Sequence, residues 1–307
     1  MHTNQGTKLC PEMTKPSIIL KVFNRPDLLE KCLARLFSCH GIEDVNLIVV
    51  EQRGNNAVHE LIELHREKFV CVIETEPVGE SVDAFITNNM MMGYQIAFEY
   101  WKSDYVISIE EDVIIASDAI FFVKEMFLRY SRNPRFRGVN LGSQIPLKPG
   151  NENKYSLSRF GIHGPAGMIT RRTWNRVNQK RVLKNDTVIF DAQLEFILKS
   201  GFMIVPHCSR FIDLGTFSER TGSNYFAPEN QFSEVVALYF SGLRSSFVGE
   251  SVECGEFQRS DTLPIWRSDC LLYDPKSNLL FDLKEKLYPL LQTRIGMLYL
   301  KFRSGWQ

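Results

Sequence analysis

A chain of 307 residues with 44% hydrophobic content can bury a sizeable core, as one large domain or one domain with an appendage. Lys+Arg and Asp+Glu both number 36, so the net charge is zero. This argues against a general nucleic-acid binder, whose affinity rests on excess cationic side chains. No stretch has the length and apolarity of a membrane span, and no apolar h-region follows the first residues, so no transmembrane segment is expected.

Residues 1–16 are polar and broken by proline, and are expected to form a mobile tail. Ser17 to Phe23 reads as a first strand. Asn24-Arg25-Pro26-Asp27 then turns into a helix whose Leu28, Leu29, Cys32, Leu33, Leu36 and Phe37 share one face. Pro26 suits an early helical position, where its missing N–H is not needed. Val45 to Val50 predicts a second strand, followed by Glu51-Gln52-Arg53-Gly54 and a helix over Ala57 to Lys68. Phe69 to Ile73 predicts a third strand, and Asn88 to Trp101 a longer helix.

The stretch YVISIEEDVIIASD, Tyr105 to Asp118, organises the rest. A β-branched and aromatic run suits a buried strand and meets three acids, Glu110, Glu111 and Asp112. Ser117 and Asp118 read as the N-cap of a helix continuing AIFFVKEMFLRY. Adjacent carboxylates between apolar runs repel one another unless a cation sits there, and a divalent metal with hard oxygen ligands and phosphates would satisfy them. A solvated acidic turn is the plainer alternative. Four alternations of strand and helix predict a βαβ architecture with a largely parallel sheet and right-handed crossovers. Ligands collect at the carboxyl ends of such strands. Asn24-Arg25, Glu51-Gln52 and the acid triplet all fall there, so they are expected to share a site.

After Pro134, Phe136 to Leu141 reads as a strand and Gly142 to Ser158 as a loop. The segment FGIHGPAG, Phe160 to Gly167, permits close backbone approach to a ligand or a tight connection. Thr170 is expected to cap a helix through Trp174 and Val177. Val188 to Lys199 predicts a helix with Asp191 near its start and Glu195 one turn on. Gly201 to Val205 reads as a strand, Asp213 to Pro228 as a loop, and Asn278 to Phe302 as a C-terminal helix. Seven scattered cysteines without a CxxC pair (Cys10, Cys32, Cys39, Cys71, Cys208, Cys254, Cys270) fit reduced thiols, hence a cytoplasmic location. The six histidines form no metal pattern; His207 and Cys208 read as structural. Arg171, Arg172 and Arg176 suit phosphates or a solvated helix face.

In order, SIILKVFNRPDLLEKCLARL, YVISIEEDVIIASDAIFF, FGIHGPAGMITRRTW and Phe190-Asp191 resemble the motifs of GT-A glycosyltransferases, most like the inverting N-acetylglucosaminyltransferase I type, with family 2 glycosyltransferases next nearest. The resemblance covers residues 17 to 226. It implies a GT-A (Rossmann-like) α/β fold: a mixed, mostly parallel sheet flanked by helices, with a C-terminal helical extension. The expected division is a tail at 1–16, a catalytic domain at 17–245 and an extension at 246–307. The implied activity is metal-dependent, inverting transfer of a sugar from a nucleotide diphosphate sugar, a UDP-sugar, to a hydroxyl on a glycan, lipid or protein acceptor. Asp112 would hold Mn²⁺ (or Mg²⁺). Asn24, Arg25, Gln52, Glu110 and Glu111 would bind the donor, and Gly161, His163 and Gly164 would line the acceptor side. Asp191 would be the catalytic base, with Glu195 as fallback and a plain helix-start acid as the alternative. The sequence departs from the family at Glu111 (usually Asp), at Gln52 (an acid in the family) and in Thr221 to Tyr225, which lacks the family histidine. A nucleotidyltransferase on a similar scaffold, or a non-catalytic nucleotide-sugar-binding relative, remains the alternative reading.

Overall fold

A computed structural model of the protein describes residues 15–76, 82–143, 150, 152–158, 165–177, 193–194, 196–215, 247 and 256–260. The strands are β1 (Ser17–Val22), β2 (Asn46–Gln52), β3 (Cys71–Thr75), β4 (Tyr105–Glu110), β5 (Val113–Ile115), β6 (Phe136–Asn140), β7 (Lys154–Ser158), β8 (Ala166–Thr170), β9 (Phe202–Pro206), β10 (Phe211–Asp213) and β11 (Gln258–Arg259). The helices are α1 (Pro26–Phe37), α2 (Asn56–Leu64), α3 (Val82–Gln95), α4 (Ala119–Tyr130) and α5 (Arg171–Trp174).

Among the described residues, nine strands form one sheet in the order β11-β7-β9-β6-β8-β4-β1-β2-β3, and β10 pairs with β5 in a second sheet. β3, β2, β1 and β4 are mutually parallel, while β8 runs antiparallel to both β4 and β6. This is the expected mixed, mostly parallel sheet with flanking helices. The pleat explains the layers. Ile18, Leu20 and Val22 of β1 join one buried cluster with Leu29, Leu33 and Leu36 of α1 and Phe122 and Met126 of α4. Ile19, between them, faces the opposite cluster with Met91 and Tyr94 of α3 and Trp174. α3 lies so close to β1 that a Cβ at Gly93 would stand 2.6 Å from Ile19 Cγ2.

Several boundaries differ from expectation. The helix expected from Asn88 already runs from Val82, and its last turn, Ile96–Tyr100, is a π-helix. α2 ends at Leu64, and a separate short 3₁₀ turn covers Arg66–Lys68. Part of the expected 142–158 loop is β7, and the last two residues of the glycine-rich segment open β8, both inside the sheet. Small residues at 166 and 167 are compatible with a strand packed between neighbours, which periodicity alone does not reveal. Thr170 does cap α5 through Thr173 N–H, but α5 is a single turn. Asp118 occupies the N-cap position of α4 without making the side-chain cap; its carboxylate instead meets Arg210 at 3.3 Å.

Candidate functional site

The carboxyl ends of β1 and β4 meet in register, and the Lys21 and Glu110 Cα atoms are partners. Their side chains join at 2.9 Å. Lys21 is the one charge in the otherwise apolar run SIILKV, a signal that sequence reading passed over. Beyond Glu110 the chain turns through Glu111 and Asp112, both buried. The longer Glu111 arm reaches back across the turn. It accepts from the backbone N–H of Phe23 at 2.7 Å and of Asn24 at 3.2 Å, tying the β4 turn to the loop after β1. Burial pushes the Glu111 carboxyl up, and these amides oppose the shift.

Asp112 is the centre. Its Oδ2 accepts from the Arg25 guanidinium, at the N-cap position of α1. Pro26 is the first residue of that helix, as expected. Asp112 Oδ1 is buried and has no hydrogen-bond partner among the described residues. Burial, then the charges of Asp213 and Glu110, push the Asp112 carboxyl up to about 7, against the pull of Arg25. Asp213 arrives through the second sheet: β10 pairs antiparallel with β5, with Asp213 opposite Val113, and Leu214 N–H donates to the Asp112 carbonyl at 2.9 Å. Next comes Gly215, where a Cβ would fall within van der Waals radii of Asp112 Oδ2 and the Arg25 guanidinium. Only glycine leaves room there.

The nucleotide end of the expected site is assembled alongside. Asn24 is exposed, and Asn55 Nδ2 donates to its carbonyl at 3.3 Å while Asn55 Oδ1 caps α2. Gln52 is buried at the end of β2. Its neighbour Glu51, which carried no assigned role, is buried too and lies 3.2 Å from His59 Nδ1 on α2. Asn24, Arg25, Glu110, Glu111 and Asp112 are therefore gathered by direct contacts, with Gln52 at the adjoining strand end. Gly161, His163, Gly164, Asp191 and Glu195 lie outside the described residues, as do Thr221 to Tyr225 and most of the C-terminal extension.

Other candidate groups resolve as structural. Arg171 bonds the carbonyls of Phe98 (2.5 Å) and Ser103 (2.6 Å), near the amino end of β4 and away from the acids. The imidazole of His207 meets Ser156 Oγ at 2.8 Å, inside the sheet. Cys32 lies beneath the acid turn, but burial and the Asp112 and Glu111 charges push its thiol far up, so it is no nucleophile.

No family model matches the sequence, and no curated protein matches it. Solved structures do show similarity. The mannosyltransferase PcManGT from Pyrobaculum calidifontis, in complex with GDP-Man and Mn²⁺, is 13% identical over 64% of this chain and 55% of its own, with a TM-score of 0.41. S. aureus TarS 1-349 is 11% identical over 75% of this chain and 70% of its own, with a TM-score of 0.45. The same TarS fragment in complex with UDP is 10% identical over 64% and 59%, with a TM-score of 0.44. The chain thus spans little more than half of the mannosyltransferase.

The donor set suits a hard divalent cation. Among the described residues no group of three or more His, Cys, Asp or Glu side chains converges on one point. Mg²⁺-like ions do not require one, because they are held by one or two carboxylates with waters and phosphates completing the shell. The orphaned, buried Asp112 Oδ1 is the feature such an ion needs.

Proposed function

We propose that this chain is a metal-dependent, inverting glycosyltransferase of the N-acetylglucosaminyltransferase I type. It moves a hexosyl or N-acetylhexosaminyl group from a nucleotide diphosphate sugar, a UDP-sugar, to an acceptor hydroxyl. The observation that carries this reading is the buried Asp112 carboxylate at the carboxyl end of β4, one oxygen on Arg25 and the other without a partner among the described residues. The ordered motifs from β1 to Phe190-Asp191 support it.

When bound at Asp112, Mn²⁺ or Mg²⁺ would neutralise charge developing on the diphosphate leaving group. Arg25 and Lys21 supply fixed positive charge beside it, and the amino end of α1 favours an anion. Asn24, Gln52 and Glu110 line the donor end. Glu111 holds the loop after β1 in place through the Phe23 and Asn24 amides. Asp191 deprotonates the acceptor hydroxyl, with Glu195 as the fallback, and Gly161, His163 and Gly164 form the acceptor side. The catalytic unit spans 17–245 and the extension 246–307. Among the described residues Cys32, Cys39, Cys71 and Cys208 form no disulfide, which suits a reducing compartment.

The test is a melting-temperature series with UDP, GDP, CDP and their sugars, each with and without Mn²⁺, followed by donor turnover. A ligand that binds only the folded state raises the melting temperature. The expected outcome is Mn²⁺-dependent stabilisation, largest for UDP ligands, with release of UDP. Stabilisation by no nucleotide would overturn the reading, and a larger effect of GDP or CDP would overturn the uridine assignment.

A further inference from the structure

The acid triplet leaves one buried neighbour without a role. Asp213 ends β10, is 8% exposed, and lies opposite Val113, the residue after Asp112. The following residues wrap the Asp112 turn: Leu214 N–H binds the Asp112 carbonyl, and Gly215 lies against the Asp112 carboxylate. A short antiparallel ladder therefore fixes Asp213 beside Asp112 from a segment about 100 residues later, as the β5–β10 register shows. Asp213 is thus a second buried acid at the edge of the Asp112 turn, and hard divalent ions take such carboxylate oxygens as ligands. Arg25 engages Oδ2 of Asp112, and among the described residues the buried Oδ1 has no partner, so the site keeps an acceptor for a second cation.

We propose that Asp213 is a second carboxylate ligand of the cation site, acting with Asp112 on one hard divalent ion. The inference rests on the proposed metal-dependent reading and extends it to a residue outside the triplet. Two carboxylates, with phosphate oxygens and waters in the remaining positions, fall within the usual donor count for Mg²⁺ or Mn²⁺. β10 then has a function: it brings the second ligand to the β4 turn from about 100 residues further along the chain.

The experiment is Mn²⁺ titration of the full chain, followed by the free-ion electron paramagnetic resonance signal, with and without UDP, for wild type, Asp213→Asn and Asp213→Glu. Asp213→Asn is expected to weaken Mn²⁺ binding about 10–100-fold, the range seen when groups supporting a metal site are removed. Asp213→Glu, which keeps the carboxylate, should recover part of the loss. Metal-free UDP affinity and the far-ultraviolet circular dichroism should stay unchanged in both. Wild-type Mn²⁺ affinity in a folded Asp213→Asn would overturn the proposal while leaving the proposed function intact. No Mn²⁺ binding by wild type, even with UDP, would overturn both. Should Asp213→Asn not fold, a wild-type crystal soaked in MnCl₂ and UDP decides. An anomalous peak within ligand distance of both carboxylates supports the proposal, and a peak on Asp112 alone overturns it.

Discussion

Arg210 and Asp118 form an ion pair of 3.3 Å in which both side chains are completely buried. Arg210 also donates to the carbonyls of Cys208 and Glu152 and lies over the rings of Phe122 (4.9 Å) and Phe257 (5.6 Å). It thereby anchors the entry to β10 against the start of α4, and β10 carries Asp213. Removing one partner of a buried pair strands the other charge, at a cost of roughly 3–5 kcal/mol. Arg210→Met is expected to lose that much in urea denaturation. The double change Arg210→Met with Asp118→Leu should recover a large part, because neither charge is then left buried.

Asp112→Asn keeps the side-chain shape and removes the anionic oxygen. Metal-dependent UDP binding should disappear while the melting temperature without ligand stays near wild type. Calorimetric titration of UDP with and without Mn²⁺ checks this; an unchanged Mn²⁺ dependence would remove Asp112 from the metal role.

Gly215→Ala places a methyl group against Asp112 Oδ2 and the Arg25 guanidinium. Arg25 can swing away, but the buried carboxylate cannot move freely, so the site is overpacked at about 1–3 kcal/mol. Mn²⁺·UDP affinity should fall more steeply than stability does. Paired affinity and urea measurements separate the two effects.

The Glu51–His59 pair gives a pH dependence. The hydrogen bond to Glu51, and then its charge, raise the His59 ring above its ordinary value of 6.5. The folded state therefore holds this proton more tightly than the unfolded chain. That contribution is fully present below about pH 6.5 and is lost as pH rises through the folded value. Urea stability between about pH 6 and pH 8 should fall more for wild type than for His59→Gln, and a nuclear magnetic resonance titration should place the ring above 6.5. An equal decline in the variant would remove the pair from the account.

Asp191→Asn should reduce transfer about 10²–10⁴-fold, the usual contribution of a general base, while donor affinity survives. Steady-state transfer measured beside donor affinity checks this. Near-normal transfer would shift the role to Glu195 or elsewhere, and lost donor affinity would assign Asp191 to the donor or the fold.

The sequence by itself determined the alternating strands and helices of the first 130 residues. Period-2 and period-3.6 apolar patterns are local and strong there, and Pro26 marks the start of α1. It also placed Asn24, Arg25, Gln52 and the acid triplet at one edge, because parallel strands deliver their carboxyl ends to the same side. It did not show β7, β8 or β10, whose short runs owe their extended form to neighbours distant in the chain. Only the tertiary structure decided how the charges pair: Lys21 with Glu110, Glu111 with two amides, Asp118 with Arg210 rather than with its own helix. It alone brought Asp213 and Gly215 to Asp112, since strand pairing across about 100 residues leaves no periodicity in the sequence to read.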